Sequence, residues 1–159
     1  MNTRLAQTLL EVTEQTCEVL AFMFPMPPPE DECDSDEDVA CVGVEFSGPF
    51  DGALALRMPE EMMATLAANM LGLAPDATDR RQHEDAFKEL CNVVCGNLLP
   101  AIAGSEPLFS VGSPHICAMG RISGEDVIVT RAWLSEGWVE ACLSIEKEAD
   151  LPAVCEGRG

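Results

Sequence analysis

Basic residues are scarce in this chain: nine Lys and Arg stand against 28 Asp and Glu, giving a net charge of −19 over 159 residues. Such acidity excludes nucleic acid as a partner, because binding its phosphates requires a basic surface. It also argues against docking on anionic membranes, and by itself serves solubility. Long apolar runs are missing as well, none approaching the roughly 20 residues of a membrane helix. The amino-terminal stretch lacks the basic region and unbroken apolar core of a signal peptide, since Glu11, Glu14 and Glu18 interrupt it. A cytoplasmic protein is expected. Histidine is limited to His83 and His115, far apart, and no C-x-x-C pair occurs among the eight cysteines. No metal site is therefore expected, and in the cytoplasm the cysteines read as free thiols rather than a disulfide framework. Cys91 and Cys95, four residues apart, read as small apolar packing. Both phosphate-binding glycine motifs, G-x-x-x-x-G-K-S/T and G-x-G-x-x-G, are absent, and no Ser–His–acid or Cys–His set is evident.

What is present centres on residues 79–104, DRRQHEDAFKELCNVVCGNLLPAIAG. At roughly 100° per residue, Asp85, Glu89, Asn92 and Gly96 fall on one narrow stripe, while Phe87, Leu90, Cys91, Val94 and Leu98 gather opposite. The pattern predicts an amphipathic helix buried along one side. Asp79 with Gln82 forms a candidate capping box at its start, and Pro100 and Gly104 mark its end. Asp85 and Glu89, one turn apart, form either an acid–base pair or simply a wet helix face. A solvent-facing asparagine costs a helix little, so Asn92 alone demands no function.

Around that helix, Leu5, Leu9, Val12, Val19 and Met23 predict a first helix from residue 3 to about 24, stopped by the PMPPP run at Pro25 to Pro29. Residues 30–38, EDECDSDED, lack the glycine and closing glutamate of an EF-hand loop and read as a solvated linker. Val42, Val44 and Phe46 alternate, and residues 53–57 return after a Gly48-Pro49 and Asp51-Gly52 turn, predicting a hairpin. A short helix follows, with Pro59 at its first position and Gly72 past its end. Residues 115–119, HICAM, form a strand candidate, and residues 127–134 with 138–145 predict a second hairpin whose Val139, Ala141, Leu143 and Ile145 face one way. The order implies an α+β fold, helices packed on one face of an antiparallel sheet in two layers. A single domain over residues 1–150, enclosing a Pro-rich then acidic loop at 27–39, is expected to precede a flexible tail at 151–159. A short alignment lays EQTCEVLAF from Glu14 on ELCNVVCGN from Glu89, setting Cys17 opposite Asn92.

The pattern D-x-x-x-E-x-x-N-x-x-x-G at Asp85, Glu89, Asn92 and Gly96 resembles the signature helix of the CheC/CheX/FliY family of chemotaxis phosphatases. The hairpin GVEFSGPFDGALALRMP and the helix ending NMLG resemble the same family, so the likeness runs from about Val42 to Glu146. Pro114 stands one residue short of the place where the family tends to carry a proline. The resemblance implies a phosphatase acting on the phospho-aspartate of a CheY-like response regulator. Glu89 and Asn92 would be the catalytic residues. Asn92 would orient the attacking water, its amide offering both acceptor and donors, and Glu89 would pair with a regulator lysine. Asp85, Lys88 and Gly96 would contact the partner, Gly96 by admitting its backbone close to the helix. Mg²⁺ would come from the regulator, with no cofactor of the chain's own.

The chain departs from two-site members, which repeat E-x-x-N on the first helix; here Glu14 is followed by Cys17. One site per chain is expected, as in CheX-like members, and with it a homodimer formed through the sheets. The rival reading is a non-catalytic CheX-like module that binds a response regulator or a flagellar-switch component; retention of both Glu89 and Asn92 favours the enzyme. The acidic loop at 30–38 would favour a regulator with a basic rim.

Overall fold

Segments of helical period and segments of alternating period follow one another along the chain, and each folds according to its period. In the computed structural model, which describes residues 2–30, 38–117 and 127–146, they are α1 (Asn2–Ala21), β1 (Val39–Ser47), β2 (Asp51–Pro59), α2 (Met62–Leu71), α3 (Arg80–Ala103), β3 (Ser110–Val111), β4 (His115–Ile116), β5 (Val127–Leu134) and β6 (Gly137–Glu146). A single 3₁₀ turn, Pro75–Ala77, joins α2 to α3. The sheet order is β3-β1-β2-β6-β5, with β4 also pairing β1, and every pairing is antiparallel. The three helices lie on one face, α1 beside α3 and over β5, α3 over β1 and β2. This is the α+β architecture the order of elements implies.

Register decides which side chains meet the helices. Val42 pairs with Leu56, and Leu56 with Ala141; Val44 pairs with Leu54, and Leu54 with Leu143. All six are buried, against Leu9, Leu66, Phe87, Leu90, Val94 and Leu98 from the helices. Each fully buried side chain of this size contributes about 1.5–3 kcal/mol, so this interlocked layer dominates the stability. At the far end of the hairpin, a Cβ on Gly52 would lie 2.3 Å from the Ser144 carbonyl oxygen and 2.5 Å from the Phe46 ring, so no larger residue fits. The Phe46, Phe50 and Phe109 rings meet edge to face at centroid distances of 5.0 to 6.2 Å, pinning the segment after α3 to β1.

Several boundaries differ from expectation. α1 ends at Ala21, where Asn69 Nδ2 donates to the Ala21 carbonyl at 2.7 Å. Phe22 takes φ 55° to turn the chain, and Met23 drops into the core. Val19, counted with the apolar face, is 71% exposed. Phe24 and Met26 bond instead to the β5 end of the last hairpin, through Ser135 and Trp133. Pro59 closes β2 rather than opening α2, because its hairpin partner is Val39. Gly72, with φ 73°, terminates α2 as its position predicts. The segment 115–119 is strand only at His115–Ile116, its last two residues lying outside the described ones. The acidic loop at 31–37 and the tail beyond 146 also lie outside the described residues.

The outer sheet face is the main departure from simple alternation. Cys41, Ala55 and Cys142 form a second small buried cluster there, with Cys117 and Val127 packed against it. Glu140, also on this face, is only 4% exposed. Its carboxylate accepts from Arg57 Nη1 and, at 3.3 Å, from Arg131 Nη2. Arg131 in turn stacks over Trp138 at 4.0 Å and Trp133 at 5.5 Å from the ring centroids. Small side chains sheltered between taller ones, and a charge neutralised twice, explain how polar-looking positions become buried.

Candidate functional site

α3 is built to hold one face still and present the other. Asp79 Oδ1 accepts from Gln82 N at 2.9 Å, and Gln82 Oε1 accepts from Asp79 N at 2.9 Å, closing the expected capping box. His83 Nε2 lies 2.7 Å from Thr78 Oγ1, a further tie across the start of the helix. Phe87, Leu90, Cys91, Val94 and Leu98 are fully buried. Asn97 Nδ2 donates to Thr16 Oγ1 at 3.2 Å, fastening α3 to α1. The helix continues through Pro100 to Ala103.

On the opposite side Asp85, Glu89, Asn92 and Gly96 are all exposed, and Lys88 is half-buried beside them. Glu89 and Asn92 sit one helical turn apart, so a carboxylate and an amide project together from a rigid base. A Cβ built on Gly96 meets nothing within 4 Å, so that position is open ground on the helix surface. All five residues singled out from the sequence therefore share one helix face or its flank. Arg81, which the sequence reading leaves aside, is exposed on the same stripe; the periodic placement of charge along residues 81–89 is the signal that marks it. Cys17, aligned with Asn92 above, is wholly buried, so α1 presents no counterpart of the exposed amide.

The buried thiols are held protonated. Burial pushes Cys95 up to about 11 and Cys17 and Cys41 up to about 12, and it holds Cys91 still higher, with Cys95 beside it adding to the effect. A neutral thiol is a poor nucleophile, which removes Cys91 from consideration as a catalytic group. Because the folded chain holds these protons more tightly than the unfolded one, stability is fully present below the ordinary thiol value of 9.0 and falls as pH climbs from there toward about 11. Urea unfolding is expected to show a lower midpoint at about pH 10 than at about pH 8; equal midpoints would mean that these thiols do not keep their protons. Among the described residues no group of three or more His, Cys, Asp or Glu side chains is arranged to hold a metal ion. No helix among them is long and apolar enough to cross a membrane.

Three helices on one face of an antiparallel sheet, with a carboxylate and an amide one turn apart on the exposed side of the longest helix, define a two-layer α+β domain with one helix face left uncovered. Residues 39–123 match the model of the chemotaxis phosphatase CheX, and the chain belongs to the CheX family. The fold is similar to that of a chemotaxis protein CheX from Desulfovibrio desulfuricans, at 18% identity and TM-score 0.70, over 90% of this chain and 99% of that one. It is similar to a chain of the CheX-CheY-BeF3-Mg complex from Borrelia burgdorferi, at 16% identity and TM-score 0.67, over 89% and 97%. A CheC-like superfamily protein from Shewanella sp. PV-4 superposes at 23% identity and TM-score 0.65, over 92% and 100%. No curated protein matches the sequence.

Proposed function

We propose that this chain hydrolyses the phospho-aspartate of a CheY-like response regulator. The observation that carries the reading is the exposed Glu89–Asn92 pair on a helix fixed from below by its own buried face. Family membership supports the reaction class, and the solved CheX-CheY complex supports the class of partner. Phosphoryl transfer runs through a loose transition state, so a protein accelerates it chiefly by positioning and by charge. The Asn92 carboxamide, brought beside the acyl phosphate, accepts a hydrogen bond from a water and holds it in line with the bond that breaks. Glu89, one turn earlier, meets a lysine ammonium of the regulator and fixes the register. Asp85 and Lys88 contact the partner around this pair. The Mg²⁺ of the reaction belongs to the regulator's own phosphoryl site. A homodimer formed through the sheet belongs to the same reading, and sedimentation at micromolar concentration tests it.

The test is phosphate release from phosphorylated CheY-like regulators with Mg²⁺, with and without the protein. Acceleration is expected for a cognate regulator; its absence across every regulator of the source organism would leave a binding module without hydrolysis. Gly96 supplies a sharper check. Gly96→Ala meets no neighbour and raises helix propensity by about 1 kcal/mol, so Tm is expected to rise. The added methyl group stands where the partner's backbone approaches, so KM for the phospho-regulator is expected to increase as well. A variant that is both more stable and unchanged in KM would remove Gly96 from the contact surface.

A further inference from the structure

The few cations of this chain are unevenly employed. Arg57 and Arg131 are tied to Glu140, and Arg80 Nε donates to Glu84 at 3.3 Å. Arg81 and Lys88 make no ion pair among the described residues, although acids stand within reach on the same helix. Asp85 follows Arg81 by four residues and precedes Lys88 by three. Glu84 precedes Lys88 by four, in the orientation that favours pairing, yet its carboxylate turns back to Arg80.

Helical geometry gives these unused charges a direction. Relative to Asp85, Arg81 and Lys88 lie about 40° and 60° to one side, Glu89 about 40° to the other, and Asn92 close to the midline. The stripe therefore has a cationic edge and an anionic edge, with the amide between them. The rest of the molecule is strongly acidic, but at physiological ionic strength charges beyond roughly 8 Å are largely screened. The potential that a docked partner feels is set by the stripe and its immediate flank, where the Arg80–Glu84 pair is net neutral.

We propose that Arg81 and Lys88 form a cationic edge of the docking surface and select regulators that present acidic side chains along the face that lies over the amino-terminal half of α3. This rests on the phosphatase reading above and extends it to the choice of partner. One acid of the regulator lies against Lys88 and a second, about 10 Å further toward the start of the helix, against Arg81, while its lysine lies against Glu89, so the two opposed edges admit only one orientation. Without the cationic edge, an acidic regulator face would approach a stripe whose only charges are Asp85 and Glu89, and like charges in such a contact are strongly unfavourable.

The test uses the full chain and a CheY-like regulator loaded with BeF3 and Mg²⁺ as a non-hydrolysable phosphoryl mimic. Binding is titrated at about 50 mM and about 300 mM NaCl, a range over which screening changes strongly. Arg81→Glu combined with Lys88→Glu is expected to raise Kd roughly tenfold at the lower salt and distinctly less at the higher. Arg81→Lys combined with Lys88→Arg keeps the charges and is expected to bind within about twofold of the parent. Phosphate release by the parent protein is measured in parallel. If the parent hydrolyses the phospho-regulator but charge reversal leaves Kd unchanged, lowers it, or raises it equally at both salts, the cationic edge is wrong and the phosphatase reading stands. If the parent neither binds nor hydrolyses, the phosphatase reading fails and the edge with it.

Discussion

Asn92→Ala is expected to lower the rate of phosphate release at saturating regulator by roughly 10²–10³-fold, the usual consequence of losing one positioned polar group at a reacting centre. Association should change little, because in the proposed complex Glu89, Asp85 and Lys88 hold the regulator, and the exposed Asn92 side chain supports no part of the fold. The folded state should be at least as stable as the parent, since alanine is the better helix former by up to about 0.7 kcal/mol. Glu89→Ala separates the two roles: with the proposed lysine contact gone, both KM and turnover are expected to suffer. A rate for Asn92→Ala equal to that of the parent in a single-turnover assay would remove the water-positioning role and leave docking as the whole function of the stripe.

Glu140→Ala is expected to produce the largest loss of stability, about 3 kcal/mol, toward the low end of the cost of breaking a buried ion pair. The carboxylate is almost fully buried and neutralises two guanidinium groups, those of Arg57 and Arg131. Removing it leaves two like charges confined together on the outer face of the sheet. The Arg131 side chain keeps 31% exposure, and solvent reaching it moderates the penalty. For a chain of this size the change corresponds to a fall in Tm of roughly 6–12 °C. Glu140→Gln, which keeps the acceptor oxygen, should lose less. If Glu140→Ala unfolds within about 1 °C of the parent, the two arginines find water or other partners, and the cluster contributes nothing net.

The parts of this molecule that repeat with a clear period were legible before the fold was known. The inner face of α3, its capping box, the α2 terminator at Gly72 and both hairpins follow from spacing alone, because burial of one face imposes a period of 3.6 or 2 over many residues. β3 and β4 were not legible in full, since two residues are too few to show alternation; they are strands because the edge of β1 supplies their hydrogen bonds. The end of α1 is hidden in the sequence for a related reason. Apolar residues continue past Ala21, but Met23 is claimed by the core while Val19 and Phe22 face solvent.

The candidate site divides along the same line. Sequence by itself determined that Asp85, Glu89, Asn92 and Gly96 share a stripe, because helix geometry maps spacing onto direction without reference to the rest of the fold. Tertiary structure decided that this stripe is the side left uncovered, since packing of Leu90, Val94 and Leu98 against the sheet turns it outward. It also decided that Gly96 faces open space, that Arg81 and Lys88 stay unpaired among the described residues, and that Glu140 is buried between two arginines. Those outcomes depend on which distant residues come within a few ångströms, and a linear pattern carries no record of that.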